Sequence, residues 1–284
     1  MKDANFLVER LPQDCAERKD PITSLIYFAH ERDAIRKRKE SRAPRPWTTD
    51  LILHEARFTN IRREYDWVSK FIFKWADVVA PAEEELFFNL LFARHCNKAE
   101  TLSRVGPVLT DDDPEENINK IRAVKPMYAT PYVCPGQFGK DWGTREDWIF
   151  KYFPTVAKRT IPLLSHGRSI SDVVERMDDI WGFRNWFSST QALLDLAYLR
   201  PDLIDPKSEI YVGPGAIPAL YLIRTSIWRL LQVKEVQELC ETFAGVEHTL
   251  CEWTKYLKIK YGFRPITKRF KYYPRPVIET SQSY

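Results

Sequence analysis

The stretch 57–79, RFTNIRREYDWVSKFIFKWADVV, gathers side chains that could read and charge-stabilise a polar ligand. Ile61, Tyr65, Val68, Ile72, Trp75 and Val79 recur at helical spacing and predict one core-facing helix over the whole stretch. Thr59, Arg63, Asp66, Lys70 and Lys74 then point away from the core, with Asn60, Arg62 and Trp67 on the flanks. A ligand-contacting face is one reading. The other is a solvated face carrying Arg63–Asp66 and Asp66–Lys70 pairs, worth about 0.2–0.5 kcal/mol each. Helix physics alone favours the solvated face.

A second group lies in 246–256, VEHTLCEWTKY. Here Val246, Leu250, Trp253 and Leu257 make the apolar stripe, Glu252 and Lys255 share one edge, and Glu247 and Cys251 sit on neighbouring faces. Residues 253–278 hold Lys255, Lys258, Lys260, Arg264, Lys268, Arg269, Lys271 and Arg275 without one Asp or Glu. A second basic run comprises Arg32, Arg36, Lys37, Arg38, Lys39, Arg42 and Arg45. A polyanion suits both runs, because neutralised phosphates release counterions; a solvated helix face or tail is the alternative for each. Asp111, Asp112 and Asp113 before Pro114 read as a helix start rather than a metal site.

Composition bounds the fold that must position these groups. A 284-residue chain with 44% hydrophobic residues can bury a sizeable core as one large domain or two close ones. Ten Gly and few alternating β-branched runs point to a mainly α architecture. The net charge of +4 is too mild to decide a partner by itself. Cys15, Cys96, Cys134, Cys240 and Cys251 form no C-x-x-C pair, and the histidines form no metal-binding spacing. No signal peptide and no bilayer-length apolar run is evident, so a cytoplasmic protein with no membrane partner is expected.

Residues 23–42 read as a helix ended by the prolines of 43–48, after which Thr49 or Asp50 caps a short helix. Residues 82–102 are apolar nearly all round and predict a central core helix. The Pro- and Gly-rich 124–143 reads as a loop, with short strands around Tyr128 and Tyr132. In 171–199 two helices flank a tight turn at Gly182, and Ile180-x-Gly182-Phe183-x-x-Trp186-x-x-Ser189 has a helix–hairpin–helix cadence. Gly213-Pro214-Gly215 lets backbone approach a ligand closely, or is a plain turn before an apolar helix over 217–231.

PWTTD (46–50), RFTNIRREYD (57–66), GFRNWFSSTQALLDL (182–196), VGPGA (212–216) and EHTLCEWTKY with its basic tail (247–275) occur in this order. Together they resemble the α-glutamyl/putrescinyl thymine pyrophosphorylase superfamily, which includes amino-acid:DNA transferases and the helical domain of 5-hydroxymethyluracil DNA kinases. The resemblance implies a helical, DNA-glycosylase-like (helix–hairpin–helix) fold. It places an extension at 1–22, a single catalytic domain at 23–275 and a tail at 276–284. It also implies bacteriophage-type hypermodified DNA, in which an amine such as an amino acid or polyamine replaces the phosphate or pyrophosphate of an activated 5-hydroxymethyluracil base. The sequence has no G-x-x-x-x-G-K-[ST] loop, so a separate DNA-base kinase is expected upstream.

On that resemblance, Arg57, Arg63 and Lys255 would stabilise the leaving group, and Asp195 or Glu252 would accept the amine proton. Asn60 would read the uracil edge, with Gln191 also at the substrate and Asp66 orienting Arg63. Gly182, Gly213, Gly215, Arg264, Lys268 and Lys271 would hold the DNA backbone. No cofactor is expected; a divalent cation accompanying the leaving group is the variant of that expectation. Cys251 reads as a structural thiol before a nucleophile. A DNA glycosylase and a non-catalytic DNA-binding module are the alternatives, since a fold does not carry a reaction type.

Overall fold

The computed structural model describes residues 4–77, 82–129, 143–164, 167–181 and 186–266. These are mainly α, and no β-strand occurs among them, around Tyr128 included. No described helix is long and apolar enough to cross a membrane. The chain divides into two compact units. The first comprises the described residues of Met1–Ile61, Pro214–Leu239 and Glu247–Tyr284, the second those of Arg62–Gly213 and Cys240–Val246.

The second unit is built on the helix Glu83–Cys96, against which Trp186–Leu199 and Phe153–Thr160 pack. Three glutamates in its first turn complement the positive helix end, and Asn97 closes it in the left-handed conformation that Asn tolerates. From Leu86 to Cys96 every residue is buried, and each fully buried Leu or Phe adds about 1.5–3 kcal/mol. Asn89, like Arg94 and His95, is a buried polar residue of this run. Its amide nitrogen donates to the carbonyls of Glu85 and Val108 at 2.8 and 2.7 Å while its oxygen accepts the Val108 N–H, tying the 106–110 segment to the core helix. Two of the three aspartates do local work at the next helix: Asp112 accepts the Leu109 N–H and Asp113 caps Pro114–Arg122. Helices Ile170–Trp181 and Trp186–Leu199 flank the expected Gly182 turn, which itself lies outside the described residues.

In the first unit, Pro21–Glu40 starts where Asp20 accepts the Thr23 N–H at 3.1 Å. Trp253, Leu250 and Leu257 of the helix Phe243–Lys260 are wholly buried, as the stripe required. Phe28, Phe58 and Tyr256 form a ring cluster with centroids 5.4–6.4 Å apart. Asp50 caps Leu51–Glu55 and also accepts the hydroxyls of Tyr256 and Tyr27, at 2.8 and 3.3 Å. Residues before the expected domain start also belong here. Phe6–Arg10 packs on Ile217–Ile223, and Glu17 takes hydrogen bonds from Lys260 and Tyr261.

Two expected helices are shorter. Among the described residues, the one predicted over 57–79 is an irregular segment, a single 3-10 turn at Arg63–Tyr65, and a helix over Trp67–Asp77, with 78 and 79 outside them. Side chains claim the backbone groups that helix formation needs. Arg32 donates to the carbonyls of Phe58 and Thr59 at 3.0 Å each, and the Thr59 N–H donates to Glu252 at 3.0 Å. The apolar helix predicted over 217–231 breaks into Ile217–Ile223 and Ile227–Leu230, because Arg224 turns left-handed and Ser226 caps the next turn.

Candidate functional site

The expected site residues gather in two side-chain clusters, one in each unit. In the first unit the helix Phe243–Lys260 presents Glu252 and Lys255 at i,i+3 spacing, and both side chains are largely buried. Lys255 Nζ lies 2.5 Å from Glu252 Oε2, which also accepts the Thr59 N–H. The ammonium stands 4.7 Å from the centre of the Phe58 ring. A cation–π contact and a charge-assisted hydrogen bond thus fix one Lys–Glu pair against the segment 57–60. Arg57 is exposed and Asn60 half-buried on that segment. Arg32 holds its carbonyls in place.

One residue before Glu252 is Cys251. Burial, then the nearby Glu247 and Glu252 carboxylates, push its thiol far above the usual cysteine range. It stays protonated at neutral pH, so it is a packing group and a poor nucleophile. Its sulfur faces Gly215, where an added Cβ would stand 2.4 Å away. This contact explains the glycine without a ligand. Gly213 is buried in the second unit.

The second cluster is a closed ionic network. Gln191 and Asp195 lie four residues apart on Trp186–Leu199, hence on one face. Asp195 is 0% exposed. It receives Arg94 through Nη2 to Oδ1 at 2.7 Å and through Nε to Oδ2, and Arg63 through Nη2 to Oδ1 at 3.0 Å. Arg63 also donates to the side-chain and main-chain oxygens of Gln191. Arg94 continues to Ser69 Oγ at 3.0 Å. Arg63 therefore points inward, opposite to the direction a helix over 57–79 would have given it. Asp66 heads the Trp67–Asp77 helix, its carbonyl accepting the Lys70 N–H at 2.9 Å.

Arg94 and Arg32 are the residues that reading the sequence missed. An Arg directly after the apolar run Leu90–Leu91–Phe92–Ala93 is the signal for the first, since a buried guanidinium needs a carboxylate. Arg32 was counted within the basic run 32–45, of which three members pair with carboxylates of their own unit. Arg36 pairs with Asp33 and Glu40, Lys37 with Asp33, and Arg38 with Glu31. Of the expected backbone contacts, Arg264 folds back through its N–H to the Lys258 carbonyl at 2.9 Å. Gly182, Lys268 and Lys271 lie outside the described residues.

No curated protein and no solved structure matches the chain. A family model described as 5-hmdU DNA kinase, helical domain, matches residues 20–226, a span that takes in the segment 57–60 and the Arg63–Asp195 network and stops before Glu252, and the chain belongs to that family.

Proposed function

We propose that the chain is a transferase acting on DNA that carries activated 5-hydroxymethyluracil, in which it replaces the phosphate or pyrophosphate with an amine. The observation that carries this reading is the Glu252–Lys255 pair held on the Thr59 N–H, between Arg57 and Asn60. An exchange of this kind needs a cation for the departing anion and a base for the incoming nitrogen. One Lys–Glu pair supplies both.

The reacting base leaves the stack, at a cost of a few kcal/mol for an ordinary pair. The neutral amine nitrogen forms a bond to the exocyclic methylene carbon. The carbon–oxygen bond breaks, and its electron pair leaves on the phosphate. Lys255 turns from Glu252 to the phosphate oxygens, with Arg57 beside it, and Glu252 takes the excess proton from the new carbon–nitrogen group. Asn60 offers both a donor and an acceptor to the uracil edge. In this scheme the Asp195 carboxylate, enclosed by two guanidinium groups, is a positioning residue that fixes Arg63 and Gln191 rather than the base. No cofactor enters the scheme. Its partners are modified DNA, a small-molecule amine and a separate kinase that activates the base.

The family's description as the helical domain of a kinase favours one second reading, a module that holds modified DNA for phosphorylation by another domain. Incubation with 5-phosphomethyluracil DNA and a panel of amines, followed by mass spectrometry of the released nucleosides, separates the readings. The transferase gives an aminated base. An abasic site would mean a glycosylase, and DNA binding without a product with any amine would mean the module.

A further inference from the structure

On the first unit, away in sequence from the Glu252 helix, the break in the 217–231 segment turns two aromatic side chains outward. Tyr221 is 49% and Trp228 51% exposed. Tyr221 lines an open cleft of about 420 Å³ with Leu220, Arg224, Thr225 and Ser226. Trp228 follows two residues after Ser226, on the next helical turn. Arg224 is exposed at the break itself, held left-handed at φ 58°, and Arg229 is exposed beside Trp228.

The segment that carries these rings is basic, and the acidic residues that follow it begin at Glu235. From Pro214 to Lys234 there is no Asp or Glu, while Arg224, Arg229 and Lys234 are present. Neither Arg224 nor Arg229 pairs with a carboxylate among the described residues. Lys234 sits 3.9 Å from Glu238, an exposed pair that salt screens. The helix Phe6–Arg10, packed on Ile217–Ile223, brings Glu9 and Arg10, which cancel. Exposed apolar rings normally sit singly on a protein surface. Two of them interleaved with uncompensated arginines is the composition of a surface that stacks bases and neutralises phosphates.

We infer that Tyr221 and Trp228, with Arg224 and Arg229, form a docking surface for unpaired bases of a DNA strand, distinct from the Glu252–Lys255 pair. The inference rests on the proposed action on DNA, and it adds how the strand beside the extruded base is held. The rings stack on bases of any sequence, since every base has a π-face. The guanidinium groups take the intervening phosphates. Such a surface prefers an opened strand to a closed duplex, which hides its base faces.

Fluorescence anisotropy of the full chain with a labelled, unmodified oligothymidylate, and with the matching duplex, tests this over a range of salt. Tyr221→Ala and Trp228→Ala should each weaken single-strand binding by about 5- to 150-fold, with a much smaller effect on the duplex. Tyr221→Phe and Trp228→Phe keep a π-face and should retain most of the affinity. Arg224→Gln should lower the single-strand salt slope by about 0.7. Thermal melting of each variant establishes that it is folded, and the salt slope of Arg224→Gln carries the comparison if an alanine variant is not. Wild-type binding that all these variants share unchanged overturns the surface and leaves the transferase reading standing. A wild type that binds no DNA at all overturns both. Concentration-dependent dimerisation abolished by Trp228→Ala, with DNA affinity unaltered, would reassign the face to a second copy of this chain.

Discussion

Gly215 and Cys251 lie so close that a methyl group on the glycine would stand 2.4 Å from the cysteine sulfur but 3.5 Å from its Cβ. The first distance is a clash and the second an ordinary contact. Gly215→Ala should therefore destabilise the protein by about 1–3 kcal/mol, the usual cost of overpacking. Adding Cys251→Ala should recover most of that loss. A double-mutant cycle by urea denaturation measures the coupling directly. If the glycine instead serves a DNA backbone, the double variant will regain stability and still bind DNA poorly. Stability costs that simply add would remove the packing account.

Asp195 is the counter-charge for two buried guanidinium groups, and that relation predicts a large and specific loss. Asp195→Asn keeps the shape while leaving Arg63 and Arg94 without a carboxylate. The expected cost is about 3–5 kcal/mol, read from the shift in the denaturation midpoint at unchanged slope. A change under about 1 kcal/mol would mean that water reaches the network.

These two contacts also mark what the sequence could and could not disclose. The core helix Glu83–Cys96 was legible because residues apolar on every side have nowhere to go but inside. The buried stripe Leu250–Trp253–Leu257 followed from spacing alone. The start of 57–79 was misread because its helical periodicity is real, yet Arg32 and Glu252, far away in the chain, capture its backbone groups. Arg94 has no carboxylate within four residues of it in sequence, and only the fold reveals Asp195 opposite it. The Gly215–Cys251 approach links residues 36 positions apart in sequence, so no local pattern announces it.

Glu17 connects the start of the chain to the end of the helix Phe243–Lys260, and its titration should be visible in stability. Burial alone would raise its carboxyl, but hydrogen bonds from Lys260 and Tyr261 outweigh that and hold it below the ordinary value of 4.5. A carboxylate lowered on folding stabilises the native state above its unfolded pKa, and that contribution fades as pH falls through the folded value. Wild type should thus exceed Glu17→Gln in stability by a constant margin from pH 6 to 7, values well above the ordinary 4.5, and the margin should shrink below it. Melting curves across that acid range check the sign. A margin that grows on acidification would show that the carboxyl is held neutral instead.

Glu252 and Lys255 give the sharpest separation between chemistry and architecture. Glu252 is tied both to Lys255 and to the Thr59 N–H, so removing its charge touches structure as well as the proposed proton transfer. Glu252→Gln keeps an acceptor oxygen for Thr59 and should leave the fold largely intact while lowering the rate of amine transfer by about 10²–10⁴. Lys255→Met keeps much of the packing over Phe58 and removes the cation, so the rate should fall while affinity for unactivated DNA holds. The two effects should not multiply, because either loss also frees the surviving partner of the pair. Single-turnover rates of the two variants and their combination, on 5-phosphomethyluracil DNA at saturating amine, decide the matter. Full activity in Glu252→Gln would move the base elsewhere, and rate losses that multiply would mean that the two groups act apart.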